Sequence, residues 1–332
     1  MKDRVGIVGF RGYSGAELVR LLTAHPSVSP VLLEHRSDSQ ATPLVGAGAP
    51  TVPCTPEAIA AERLALVFLA TPPEVSMELA PAILAKDVKV VDLSGAFRLG
   101  SAENYRRWYK ADHQAAALFA EAVYGLPEFC RARIPQARLV ANPGCYPTAA
   151  NLALWPLVEA GVVDLACGVV CDAKSGVSGA GRKATLKTSF CEVTENFSAY
   201  SILDHRHVAE VLMVSGIEER DFSFTAQLLP IDRGILETIY FRARNVSSAD
   251  DLLAIYKRRY DEPFIRLYPV GAVPDIRAAQ RTNFCDIGVR YDAPTGRAVL
   301  VSVIDNLTKG AAGQAIQNMN LMLGHPETEG LL

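Results

Sequence analysis

The sequence has no run of about 18 apolar residues, so no membrane-spanning helix is expected. It has no excess of either charge. Lys and Arg number 33, Asp and Glu 36, and the net charge of -3 removes the overall basic footprint of a nucleic-acid binder. No C-x-x-C pair occurs. The seven cysteines are odd in number and scattered, which argues against a secreted disulfide framework. Cys167 and Cys171 stand four apart, but no second cluster accompanies them, and the six histidines are dispersed. No metal site is expected. The opening Met1-Lys-Asp-Arg lacks the apolar stretch and cleavage site of a signal peptide, so a cytoplasmic protein is expected. No repeat, low-complexity tract or obvious linker is present.

What is present suits a soluble globular chain. At 332 residues, with 49% hydrophobic and 21% charged residues, it has room for about two domains. The first 145 residues alternate short apolar runs with amphipathic segments. Strands are expected at 5–8, 31–33, 64–69, 88–93 and 139–141. Helices are expected at 14–24 and 74–85, the first opened by a capping box of Ser14 and Glu17. This order predicts a doubly wound parallel sheet of the Rossmann type, an α/β fold. After Cys145 a helix over 148–159 is followed mainly by strands, at 169–173, 222–229, 236–243, 284–291 and 298–304. Helices at 208–214 and 249–260 interrupt them. A second, α+β domain with a mainly antiparallel sheet is expected over 146–306. A final helix from about 311 to 323, within 307–332, completes the first domain (1–145).

Gly9, Gly12 and Gly15 follow the first strand and open the first helix. Glycines there let the backbone approach a pyrophosphate resting on the helix N-terminus. The spacing G-x-x-G-x-x-G is a weak pattern alone, and its strand-to-helix context strengthens it. Tyr13 and Ser14, in the same loop, and Thr71 and Pro72, after the third strand, are expected to contact the same dinucleotide. At the end of the second strand an NAD site wants an acidic residue. Glu34 stands there, but is expected to point away. Arg36, flanked by Ser37 and Ser39, suits a 2′-phosphate, and Arg11 adds positive charge, so NADP (NADPH) is expected.

Asn142-Pro-Gly-Cys145-Tyr-Pro-Thr148 leaves a strand and opens a helix, with Pro147 fitting the first helical position. Cys145 at a helix N-terminus is favoured as a thiolate. A thiolate beside a nicotinamide points to acyl chemistry, with a thioester reduced to an aldehyde. The general acid/base is sought in Asp204-His-Arg-His207, and Glu210 is placed to orient one imidazole. The loop Lys174 to Arg182, with Gly176, Gly179 and Gly181, is expected to be flexible and to expose N–H groups to an anion or to the nicotinamide edge. Arg182 suits a phosphate clamp. Ser178 and Gly179 are assigned to the cofactor, and Ser175 and Gly176 to the substrate. Asp92-Leu-Ser-Gly-Ala-Phe-Arg98 offers Ser94 and Arg98. Arg233 is a weaker candidate, and Asn306 suits the nicotinamide carboxamide or a helix cap.

Together these segments resemble the N-acetyl-γ-glutamyl-phosphate reductases, relatives of aspartate-semialdehyde dehydrogenase. The resemblance runs nearly end to end. It rests on Gly12-Tyr-Ser-Gly-Ala-Glu-Leu18, Asp92 to Arg98, Pro143-Gly-Cys-Tyr-Pro-Thr-Ala149 and Ser175-Gly-Val-Ser-Gly-Ala-Gly-Arg182. His205-Arg-His207, Arg233-Gly-Ile-Leu-Glu-Thr238 and Asp305-Asn-Leu-Thr-Lys-Gly-Ala-Ala312 complete it. It implies NADPH-dependent reduction of N-acetylglutamyl phosphate to the semialdehyde and inorganic phosphate, in arginine biosynthesis. It implies Cys145 as nucleophile and one of His205 and His207 as acid/base, with His205 preferred and the other histidine binding substrate with Arg206; Asn142 is also assigned to the substrate. A homodimer or homotetramer is implied. Arg11 stands where many relatives carry a small residue. The same chemistry on an aminoadipyl or aspartyl phosphate is the alternative, and a non-catalytic NADP sensor is another.

Overall fold

The computed structural model describes residues 2–35 and 48–332. The chain divides into two compact units, 1–144 with 311–332, and 145–310.

The first unit is built on a seven-stranded sheet. Its strands are β1 (Asp3–Val8), β2 (Val28–Glu34), β3 (Thr51–Pro53), β4 (Leu66–Leu69), β5 (Lys89–Asp92), β6 (Ala122–Tyr124) and β7 (Leu139–Ala141). The spatial order is β3-β2-β1-β4-β5-β7-β6, and every pairing is parallel. Val5, Ile7, Val8, Leu66, Val67, Phe68 and Leu69 are all buried. Such continuous apolar strands need cover on both faces, which is why helices separate them. The helices are α1 (Tyr13–Thr23), α2 (Pro56–Ala61), α3 (Pro73–Leu84), α4 (Ala102–Tyr109) and α5 (Pro127–Cys130). The strand order reverses between β1 and β4, which remain parallel neighbours. Ligands of open α/β sheets bind at the carboxyl ends of strands at such a reversal.

The second unit opens on α6 (Cys145–Glu159). Its strands are β8 (Val169–Gly176), β9 (Ser198–Tyr200), β10 (Phe222–Leu229), β11 (Ile235–Arg242), β12 (Ile265–Leu267), β13 (Cys285–Asp292) and β14 (Arg297–Ile304). The order is β12-β13-β14-β11-β8-β10-β9. Four pairings are antiparallel, and β12–β13 and β8–β10 are parallel, so the sheet is mixed. Strands β8 and β11 alternate buried with more exposed residues, the pattern of a sheet covered on one face. Helix α6 packs on β11 and β14, and Ser302 Oγ donates to its Ala149 carbonyl at 2.8 Å. Helices α7 (Phe190–Val193), α8 (Val208–Ser215), α9 (Ala249–Arg259) and α10 (Ile276–Ala279) complete the unit. A π-helical turn, Thr308–Ala312, leads into α11 (Gly313–Leu323), which belongs to the first unit.

Local expectations needed correction. The Ser14–Glu17 capping box does not form. Helix α1 begins at Tyr13, its N-cap is Gly12 with no side-chain cap, and Glu17 instead pairs with Arg20 at 2.7 Å. Helix α6 begins at Cys145, which makes Pro147 its third residue rather than its first. The helix expected from 311 is π-helical through Ala312 before it becomes α-helical.

Candidate active site

In the first unit the carboxyl ends of β1, β2 and β4 enclose a cavity of about 310 Å3. Gly9, Arg11, Gly12, Glu34, Thr71 and Pro72 line it. Gly9 has φ +79°, and a Cβ there would meet the Ala70 carbonyl oxygen at 2.2 Å. A Cβ on Gly15 would meet the Gly9 oxygen at the same distance. The loop is therefore closed to side chains where β1 turns into α1. The N-terminal N–H groups of α1, with no side-chain cap, face the requirement of every helix start for an acceptor. This is the setting in which a pyrophosphate is held. Thr71 Oγ1 sits 2.8 Å from Ser76 Oγ, which donates to Asp92 at 2.7 Å, so the β4 end of the cavity is hydrogen-bonded into the sheet.

Glu34 does not point away, as the sequence had led us to expect. It lines the cavity, and its carboxylate pairs with Arg11 at 3.0 Å. Its place as last residue of β2 turns it out at the strand's carboxyl end. Arg36, Ser37 and Ser39 lie outside the described residues.

The segment Asp92–Arg98 is bonded to its own surroundings. Ser94 Oγ donates to Asp92 at 2.8 Å and accepts from the Ala96 N–H. Arg98, buried, donates to the carbonyls of Asn142 and Leu93. Asn142 Nδ2 donates to the Ala311 carbonyl. These bonds brace the turns after β5 and β7.

In the second unit a cavity of about 660 Å3 contains Cys145, Ser175, Gly179, His205, Arg206 and His207. Cys145 is half-buried and is the first residue of α6. Gly310 packs against it so closely that a Cβ there would lie 2.8 Å from the Cys145 Cβ. The sequence reading did not single out Gly310.

The histidines come from the turn before α8, whose N-cap is His207. Their rings are 4.8 Å apart. Tyr146, Tyr200 and Phe224 surround them at ring distances of 5.4 to 6.0 Å. The Tyr146 hydroxyl is 3.0 Å from the Tyr200 hydroxyl and donates to the Gln227 carbonyl. Burial pushes the Tyr146 phenol up, so it stays protonated at neutral pH. Burial, with the Arg206 charge, pushes His205 down to about 4. Its Nδ1 accepts the His207 N–H at 3.2 Å, which leaves the ring hydrogen of neutral His205 on Nε2. Glu210 is buried in the first turn of α8, where its carbonyl accepts from Asn151 and its N–H donates to the His207 carbonyl.

The glycine loop is less free than expected. The N–H groups of Gly176, Val177 and Ser178 donate to the carbonyls of Gly234, Ile231 and Asp232, so they are not exposed to an anion. A Cβ on Gly176 would meet the Asp232 oxygen at 2.6 Å, and Ser178 Oγ also donates to Asp232. Asn306 ties the same parts together. Its Nδ2 donates to Ser178 Oγ at 3.0 Å, and its Oδ1 accepts from the Gly234 N–H at 2.8 Å. Arg233 pairs with buried Asp305. Gly179 and Ala180 remain in the cavity wall, and Arg182 is exposed.

The sequence reading missed Tyr200 and the far wall, which includes Thr185, Lys187, Thr188, Glu192 and Asn196. These residues carry no recognisable motif. Tyr146 lay inside a motif already quoted, next to the nucleophile. Among the described residues there is no group of metal-binding side chains, and no helix is long and apolar enough to cross a membrane.

Two family models cover most of the chain. One, described as "Semialdehyde dehydrogenase, NAD binding domain", matches residues 4–137, and the other, "Semialdehyde dehydrogenase, dimerisation domain", matches 145–306. Solved structures agree on the fold. An aspartate semialdehyde dehydrogenase II from Vibrio cholerae superposes with a TM-score of 0.73 over 98% of this chain and 99% of that one, at 19% identity. An aspartate semialdehyde dehydrogenase with NADP from Candida albicans gives 0.67 over 97% and 99%, at 17%. The class defined by fold and cysteine cavity is that of the semialdehyde dehydrogenases. Within it, the N-acetyl-gamma-glutamyl-phosphate reductase of Geobacillus kaustophilus is 47% identical over 98% of this chain and 97% of its own length. The chain belongs to the N-acetyl-gamma-glutamyl-phosphate reductase family.

Proposed function

We propose that the protein reduces N-acetylglutamyl 5-phosphate to N-acetylglutamate 5-semialdehyde and phosphate, with NADPH, in arginine biosynthesis. The observation that carries this is the shared cavity of Cys145, His205 and His207, in a chain of this family. The Cys145 sulfur, as thiolate at the start of α6, attacks the acyl carbon. The carbon–oxygen bond to phosphate breaks, phosphate leaves, and a thioester remains on the chain. Lys187 and Arg206, both in the cavity wall, supply positive charge for an anionic acyl phosphate. Neutral His205 donates from Nε2 to the acyl oxygen as negative charge grows there. The dinucleotide, when bound, supplies the hydride that reduces the thioester carbon. The carbon–sulfur bond then breaks, releasing the aldehyde and restoring the Cys145 thiolate. A donor role for His205 narrows the acid/base assignment made from sequence, because the His207 N–H opposes a second ring proton.

The cavity of the first unit fits a dinucleotide, since it lies at the uncapped start of α1, and Gly9 and Gly15 hold the β1–α1 turn too tight for a Cβ. Gly12, Tyr13 and Ser14 would hold it at the start of α1, with Thr71 and Pro72 on the opposite wall. NADP over NAD is supported by Arg11 in the cavity and by the sequence at Arg36, Ser37 and Ser39. A homo-oligomer is supported by the match to a dimerisation domain.

The test is the reverse reaction. Protein, NADP+ and N-acetylglutamate semialdehyde should form NADPH only when phosphate is added. Phosphate-independent oxidation would mean that water takes the acyl group. Turnover of aspartate semialdehyde alone would move the substrate to the aspartyl series.

A further inference from the structure

We propose that the Arg11–Glu34 ion pair is the cofactor selector of the first unit, with Arg11 shared between the Glu34 carboxylate and a ribose 2′-phosphate. The inference rests on the NADP reading above and adds the device that produces it. Glu34 ends β2, beside the β1–β4 reversal, and lines the glycine-loop cavity. A carboxylate at this place accepts the ribose hydroxyls of NAD and repels a phosphate. Left alone, Glu34 would make this an NAD site. It is not alone. The Arg11 guanidinium lies 3.0 Å from Glu34 Oε1, over the Phe10 ring at 4.9 Å.

The two side chains are 26% and 44% exposed. An ion pair this open to water is weak, so a stronger anion can recruit Arg11. A phosphate is such an anion, with two negative charges and geometry for bidentate contact. With NADP present, Arg11 bridges carboxylate and phosphate and cancels their repulsion. With NAD present, the ribose hydroxyls share the Glu34 carboxylate with Arg11. Arg11 stands inside the loop itself, so its backbone is fixed by the Gly12 N–H bond to the Gly9 carbonyl at 3.0 Å.

The experiment measures binding, not turnover. Kd values of NADP+ and NAD+ are taken by calorimetry on the full-length wild type, Arg11→Ala, Arg11→Lys and Glu34→Gln, with circular dichroism to confirm folding. Arg11→Ala should weaken NADP+ about 10- to 100-fold, the scale of a lost charge-assisted contact, and NAD+ by less than about threefold. Arg11→Lys should keep part of the preference, because it keeps the charge and loses the fork. Glu34→Gln should leave NADP+ as tight or tighter and weaken NAD+ several-fold. Equal losses of both cofactors in Arg11→Ala, or an unchanged ratio in every variant, would overturn the selector even if the wild type prefers NADP+. A wild type preferring NAD+ would instead overturn the NADP reading. A ratio still moving with Arg11 would then show the pair at work in an NAD site.

Discussion

His205 is held neutral by its surroundings, and that decides the chemistry it offers. Desolvation opposes its charged form, the Arg206 charge adds to it, and Nδ1 already accepts a backbone N–H. With a folded value of about 4, the ring remains neutral through the pH range where a free histidine would titrate near 6.5. The acid limb of kcat/KM assigned to His205 should therefore fall near pH 4, after correction for acid unfolding. A limb near 6.5 on the alkaline side that disappears in His205→Gln would show that the imidazolium is the working form. His205→Gln, which keeps a donor, should retain more turnover than His205→Ala. Gly310 makes a separate demand at the same scale. Its backbone occupies the space beside Cys145, and a methyl there must displace the Cys145 Cβ or the Ile304 side chain at 3.2 Å. Gly310→Ala should lower kcat about 10- to 100-fold, because sub-ångström misplacement of a nucleophile is costly. KM should change little. Wild-type kcat would show that the helix start yields without moving the sulfur.

At the scale of elements, the glycine loop after β8 is a docked segment. Three of its N–H groups are bonded to the turn 231–234, and Asn306 closes the arrangement from the strand end before the π-helical turn. Asn306→Ala would leave the buried Gly234 N–H without its acceptor and Ser178 Oγ with only its bond to the Asp232 carbonyl. The expected loss is about 1–3 kcal/mol of stability, with a raised KM as the loop loosens, read by chemical denaturation and steady-state kinetics. Unchanged stability would mean that the loop is held by its backbone bonds alone. Elements of this kind mark the limit of what the sequence displays. Buried parallel strands such as β1 and β4 were legible, because their apolar runs lie between turn signals. Strands β3, β9 and β12 were not, since each has three residues, and none is fully buried. The cysteine and the histidines were legible as motifs. Lys187 and Tyr200 were not, because the fold alone brings them to the cavity. The capping box failed because pattern cannot tell a helix that caps itself from one whose first turn suits an external anion.

At the scale of the whole molecule, buried ionisable groups set opposite limits on stability. His25 is fully buried, its Nδ1 accepts the Ser27 N–H, and burial pushes it down. His205 is pushed down as well. The unfolded chain takes protons at these sites near pH 6.5, while the folded protein resists them, so stability present above that pH is lost as pH falls below it, for His205 down to about 4. Glu237 acts in the other direction. It is fully buried on β11 with the Cys171 thiol donating to Oε2 at 3.7 Å, and burial pushes its carboxyl well above 4.5. The folded state keeps this proton where the unfolded state has lost it. Stability contributed below pH 4.5 is therefore lost progressively as pH rises toward the folded value. Glutamine has nearly the shape of the protonated acid and no proton to lose. Glu237→Gln should melt near wild type at about pH 4.5, and its advantage in melting temperature should grow with pH through 8. A constant difference across that range would mean that Glu237 is charged in the folded protein. Lys174, which lowers the carboxyl's pKa, would then be the counter-ion to remove next.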